Sequence, residues 1–211
     1  MCAPMMPWPE RIDDTAWMGT PEEPGHAAGD AVRWRVLVEG ESDAVALTVL
    51  ASRLGVDLTD VAVIPMGAVT NVGHHLRASA ADGVPAAGLY DAAEERFVRR
   101  ALAVLAPDTA APDGDLAARG FFRCDADLEH ELIRACGVDG VLAVLAELGD
   151  ADRFRAFQNQ PFQRARPVAA QLWRFLGTTA GRKIGYAAHL AERVPLDRTP
   201  TPLLRLLELV G

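Results

Sequence analysis

Four short apolar runs, at residues 33–38, 61–65, 84–90 and 120–124, are separated by segments whose apolar residues recur with a helical period. Strands that alternate with helices do not fold back as hairpins. They pair in parallel, and a parallel sheet needs helices on both faces. The clearest helical segment is 43–54, where Leu47, Leu50, Ala51 and Leu54 fall at i, i+3, i+4 and i+7 and Gly55 supplies a C-terminal stop. Helices are also expected over 71–82 and 94–105, with a Pro/Asp/Gly loop over 107–115. After Asp125 the pattern is helical throughout, with segments at 127–136, 139–148, 151–159, 167–176, 182–193 and 200–209. The expected architecture is α/β: a mainly parallel, Rossmannoid sheet followed by a helical C-terminal extension. The boundaries that follow are an arm over 1–30, a core over 31–137 and the extension over 138–211. The arm is read as loosely ordered because it is rich in Pro, Gly, Met and acidic residues and has no sustained period.

With half of its 211 residues hydrophobic, the chain can build a real core. It has no apolar run of about 18 residues, so no membrane-spanning helix is expected. Its N-terminus lacks the basic and apolar regions of a secretory signal. The three cysteines, Cys2, Cys124 and Cys136, form no CxxC and no zinc spacing, which fits a reduced cytoplasmic setting. The net charge of −8 is unevenly spread. Residues 1–149 hold 11 Lys+Arg against 24 Asp+Glu, and residues 150–211 hold 10 against 5. An acidic centre beside a surface that meets polyanions produces such a split, and so does fluctuation of a mixed solvated surface.

The acidic residues of the first half sit where strands end. In the stretch WRVLVEGESDAVAL, Glu39 follows the first apolar run, with Glu41 and Asp43 close behind. Asp91 ends the third run, and Asp125 and Asp127 follow the fourth. Ligands of open parallel sheets bind beyond the carboxyl ends of the strands, so these points converge on one rim. Converging carboxylates repel one another unless a cation lies between them, and hard oxygen donors suit Mg2+. Taken singly, Asp43 also reads as a helix N-terminal charge and Asp91 as a cap. Gly40 is expected to permit a sharp turn.

VLVEGESDAVAL together with GLYDAAEERFVRRAL resembles a Toprim domain. FFRCDADLEHELIRACG and GRKIGYAAHLAE narrow the resemblance to the Toprim nuclease part of OLD-family (overcoming lysogenization defect) ATP-dependent endonucleases, over residues 33–193. The resemblance implies a Toprim sheet, one or two Mg2+ or Mn2+ ions, and phosphodiester chemistry on nucleic acid, with DNA as the expected polymer. Glu39 resembles the family's metal-binding glutamate and general acid or base, and Asp43 the second acid of that motif. Asp91 resembles the first aspartate of the DxD motif. Glu129 and Glu131, with Asp127 near them, resemble the later acidic metal-binding motif, and Lys183 the family's catalytic lysine. The second DxD aspartate falls on Ala93, a departure that leaves three readings: Glu94 compensates, metal affinity is reduced, or one of two metal positions is lost; Asp125-Ala126-Asp127 is itself a DxD, an alternative register of the motif. OLD proteins carry an ATPase ahead of the Toprim part. This chain has no GxxxxGK[ST], so it is read as a standalone Toprim protein that acts alone or with a separate ATPase subunit; a homodimer is also open.

Lys183 is the single lysine among 21 cationic side chains. A compact ammonium kept where the chain otherwise uses arginine suits a charge-stabilising role at a phosphate. Arg153, Arg155, Arg164, Arg166 and Arg182 are candidates for phosphate contacts, with a solvated helix face as the alternative reading. The expected function is a metal-dependent nuclease. The alternatives are a nucleic-acid or nucleotide-binding Toprim module with weakened catalysis that serves an ATPase, and nucleotidyl transfer.

Overall fold

The computed structural model describes residues 32–105, 115–178 and 182–211. The arm expected over 1–30 lies outside them, as does all but the last residue of the 107–115 loop. Four strands, β1 (Trp34–Val38), β2 (Val61–Pro65), β3 (Ala86–Asp91) and β4 (Phe121–Cys124), pair in the order β2-β1-β3-β4, and every pairing is parallel. The helices are α1 (Glu41–Leu54), α2 (Val72–Asp82), α3 (Glu95–Leu105), α4 (Leu128–Glu147), α5 (Ala151–Gln158), α6 (Val168–Thr178), α7 (Lys183–Arg193) and α8 (Thr201–Val210). The expected α/β class is therefore the one found. The two helices expected at 127–136 and 139–148 are both found within α4, which kinks between them at Gly137, whose φ of +72° and ψ of 164° lie outside the helical region.

Side chains alternate across the sheet with a period of two, and each face has its own core. Val36, Val38, Ala87, Leu89 and Phe122 join Leu47, Leu132, Leu190 and Leu203 on one face. Leu37, Tyr90 and Phe121 join Leu76, Val98 and Leu102 on the other. The late helices are thus part of the layer that covers the sheet: α7 packs on α1 and α4, and α8 packs on β3 and β4. β1 and β3 approach closely at Gly88, where a Cβ would lie 2.3 Å from the Leu37 carbonyl oxygen.

The strand order sets the position of the functional crevice. The chain leaves β1 for β2 on one side, then returns to place β3 on the other. The carboxyl ends of β1 and β3 therefore flank the point where the winding reverses, which is where ligands bind in such sheets. Glu39 follows β1 and Asp91 closes β3.

Candidate metal centre

Glu39, Asp91 and Glu94 meet in this crevice, each offering a carboxylate oxygen, all within 4.8 Å of one another. Glu39 is exposed; Asp91 and Glu94 are half-buried. Glu94 enters through a short 3-10 turn at Ala92–Glu94 that follows β3 and leaves the Ala93 side chain in solvent. One oxygen of Glu94 is buried without a hydrogen-bond partner. The electrostatics carry the mark of crowding. Burial pushes Asp91 up to about 8, and the charges of Glu39, Asp127, Glu94 and Asp43 push the same way. Glu94 is raised too, first by burial and then by Glu39. Carboxylates in this arrangement need protons or a cation.

Asp43 stands one helical turn behind. Its Oδ2 accepts the Gly40 N–H at 2.8 Å, which ties it to the start of α1. Burial raises it to about 6 against that hydrogen bond, with Glu129 and Glu39 adding to the rise and Lys183 opposing it. The turn expected to need a glycine does not need one: Gly40 has φ −143° and ψ 179°, extended backbone open to any residue.

The later acids separate. Asp127 caps α4, its Oδ1 accepting the His130 N–H at 2.7 Å, while its Oδ2 accepts the Trp173 indole N–H at 2.7 Å. It stays close enough to Asp91 to raise it. Glu129 and Glu131 are two residues apart on a helix, hence about 200° apart around its axis, and cannot face the same ion. Glu129 is buried and turns to Lys183, whose Nζ lies 2.9 Å from its Oε1. Glu131, also buried, accepts the Asp125 N–H at 3.0 Å and pairs with Arg134 on the other side of α4. Burial works against the Lys183 ammonium, but Glu129, Asp43 and Glu39 outweigh it and raise its pKa.

The arginines selected as phosphate contacts are mostly engaged within the protein. Arg182 donates to both oxygens of Asp150 at 2.6 Å, and Arg153 reaches the same carboxylate at 3.2 Å. Tyr186 O–H completes the set at 2.7 Å. Asp150 is 1% exposed; burial favours its proton, but these donors more than offset that and hold its pKa down. Arg155 pairs with Asp152. Arg164 and Arg166 cap carbonyls of Asn159 and Phe162 through Nε, and neither has an acidic partner among the described residues.

Reasoning from the sequence did not identify Asp150 or Trp173. Asp150 looks like an ordinary helix-start residue, and Trp173 like one apolar position of an amphipathic helix. Glu94 was visible only as a neighbour of the vacated DxD position.

The fold is shared with solved structures. The C-terminal region of the Burkholderia pseudomallei OLD protein superposes with a TM-score of 0.61 at 19% identity, covering 85% of this chain and 97% of that one. The C-terminal region of the Xanthomonas campestris pv. campestris OLD protein gives a TM-score of 0.66 at 22% identity, covering 84% and 91%. No family model and no curated protein sequence matches the chain. The fold is that of the C-terminal region of OLD proteins, as the sequence motifs led us to expect.

Proposed function

We propose that this protein is a Mg2+- or Mn2+-dependent nuclease that hydrolyses phosphodiester bonds in nucleic acid, DNA foremost. The observation that carries the reading is the meeting of Glu39, Asp91 and Glu94 at the sheet's switch point, with Asp91 raised to about 8. The donor set fits a hard divalent ion: three carboxylates, one with a buried oxygen that lacks a donor. Such an ion, when bound, supplies Lewis acidity and a water of lowered pKa. Glu39 is the most solvent-accessible of the three and is suited to take a proton from an attacking water as well as to hold the ion. Asp43 and Asp127 stand behind as a second ring of negative charge. Glu129 holds Lys183 beside that ring, where an ammonium stabilises charge developing on a phosphate. In this reading Glu131 organises the loop after β4. Free thiols at Cys124 and Cys136 fit a reducing cytoplasm.

A second reading has its own support. With Ala93 in solvent, the centre offers three close carboxylates, a set suited to one ion. A nucleic-acid-binding module of reduced catalytic power, working with an ATPase subunit, is the form this reading takes. Nucleotidyl transfer is separated from both by nucleotide incorporation.

The test is cleavage of supercoiled, linear, single-stranded and RNA substrates in Mg2+ and in Mn2+, together with calorimetric titration of each metal. We expect cleavage and metal binding, both lost or strongly weakened in Glu39→Gln and Asp91→Asn. Metal binding without cleavage of any substrate supports the binding module. Equal metal binding by wild type and both variants removes the centre altogether.

A further inference from the structure

A groove of about 560 Å3 runs between α4 and the start of α6, walled by Ala126, His130, Pro167, Ala170 and Trp173. Its volume lies within the range of about 300–1,000 Å3 typical of small-molecule sites. Trp173 is 37% exposed, one of eight large hydrophobic side chains open to solvent among the described residues. Its indole is held at two edges, by the N–H on Asp127 Oδ2 at 2.7 Å and by His130, whose ring stands nearly perpendicular with centroids 6.3 Å apart. An aromatic ring fixed in this way is preorganised and loses little freedom on stacking. The same hydrogen bond ties the groove to the carboxylate centre, because Asp127 lies three residues beyond Cys124, the β4 residue that pairs with Asp91.

The surroundings select the ligand's charge. Residues 153–191 contain seven Lys+Arg and no Asp or Glu. Four of these cations are committed to acids within the protein: Arg153, Arg155, Arg182 and Lys183. Among the described residues Arg164, Arg166 and Arg174 have no acidic partner, and they sit just before α6 or on it. An apolar slot with a fixed indole, carried on the α6 side by a stretch of sequence rich in arginine and free of acids, matches a planar uncharged group carried on a polyanionic chain.

We propose that the α4–α6 groove is a nucleobase subsite, in which Trp173 stacks on an unpaired base next to the phosphate held at the carboxylate centre. This rests on the nucleic-acid reading above and narrows it to substrates with a single-stranded or unstacked segment at the cut. Bases inside an intact duplex are stacked on both sides and cannot enter.

The experiment uses the full chain carrying Glu39→Gln, in EDTA, with fluorescence anisotropy of three labelled probes: a single-stranded oligonucleotide, the same strand with abasic sites, and its duplex. The single strand should bind on the order of tenfold more tightly than the abasic strand, the size expected for one stacked base. Adding Trp173→Ala should abolish that preference and leave the abasic strand's affinity nearly unchanged. Because Trp173→Ala also removes a bond to the α4 cap, Ala170→Leu provides an independent check: it narrows the groove while keeping the Trp173 indole and its Asp127 acceptor, and the preference should fall there too. Equal binding of base-containing and abasic strands by the parent, or a preference that survives in both folded variants, overturns the subsite. So does sedimentation in which the free protein is a dimer that Trp173→Ala dissociates, since the groove is then covered by a second copy. The failures are distinguishable. Cleavage in metal by the unmutated protein without base preference removes the subsite alone, whereas base preference without any cleavage removes the nuclease reading and leaves the subsite standing.

Discussion

Among the described residues, half-buried Asp91 and Glu94 and buried Asp150 have their ionisation shifted in opposite directions. At the β1–β3 crevice Glu39, Asp91 and Glu94 face one another, and burial together with the neighbouring carboxylates pushes Asp91 up to about 8. Between α4 and α7 Asp150 is 1% exposed, yet Arg182, Arg153 and Tyr186 hold it below its usual range. Burial alone does not mark a functional acid. What matters is whether the partners already present satisfy it: a satisfied carboxylate stabilises the fold, and a crowded one seeks a ligand. The two groups meet at the start of α7, where consecutive residues serve one each. Arg182 turns to Asp150 and Lys183 to Glu129 beside Asp43.

That adjacency gives the most direct way to break the comparison. Lys183→Ala should lose about 10²–10³ in single-turnover cleavage, equivalent to about 2.7–4 kcal/mol, with little change in melting temperature. Lys183→Arg should not recover the rate, because a wide planar fork replaces a compact ammonium. A wild-type rate in Lys183→Arg removes any special role for the lysine. Asp150→Ala should do the reverse, costing about 3 kcal/mol in urea unfolding while residual folded protein still binds metal. That figure is kept at the low end of what breaking a buried pair costs because both arginines are about half exposed and can rehydrate. If Asp150→Ala abolishes metal binding in folded protein, the two centres are one.

A pH titration sharpens the contrast. Asp91 has a folded-state pKa above its unfolded value, so its contribution to stability is fully present below about 4 and is lost as pH rises towards about 8. Asp43 adds a loss of the same sign up to about 6. Asp150 has the opposite sign: its contribution is present above the unfolded carboxylate range and is lost only in acid. Melting temperatures of metal-free wild type and Asp91→Asn should therefore diverge between pH 4 and 8, the variant becoming relatively more stable. Mg2+ should close the gap by stabilising the wild type. Parallel curves across that window would show that the crevice is not crowded in solution.

The smallest effect concerns the arginines. Arg164 and Arg166 have no acidic partner among the described residues, whereas Arg153 and Arg155 do. Replacing Arg164 and Arg166 with alanine should flatten the dependence of log affinity on log salt by about 0.7–0.9 per lost phosphate contact, and replacing Arg153 and Arg155 should flatten it less. An equal effect from both pairs would mean that internal ion pairs do not withhold these cations from nucleic acid.

Much of the fold was legible because its signals are local. The i, i+3, i+4, i+7 run of Leu47, Leu50, Ala51 and Leu54 and the Gly55 stop define α1 within about a residue or two. The two helical segments at 127–136 and 139–148 were readable separately, and the backbone leaves the helical region between them at Gly137. The candidate site was legible to the extent that strand ends announce themselves, so Glu39 and Asp91 were found. Glu94 was harder. Its entry depends on a 3-10 turn that swings residue 94 toward Glu39 and leaves Ala93 outside, and no period in the sequence encodes that rotation.

The order of apolar runs and helical segments determined, without any coordinates, that the sheet is parallel and that acids at strand ends gather on one rim. Chain connectivity and the handedness of crossovers leave few other ways to bury four such strands. Which acids share that rim was decided by tertiary packing. Glu129 and Glu131 look equivalent in a string, yet the helix sends them to opposite sides, and α7 supplies a lysine to one while Arg134 takes the other. Arg182 and Asp150 are 32 positions apart and form a bond only because α7 packs across α4. Charge tells which partners a residue can accept; only the packing of distant helices brings one within about 3 Å, and at that distance burial turns a weak surface attraction into a choice between stability and function.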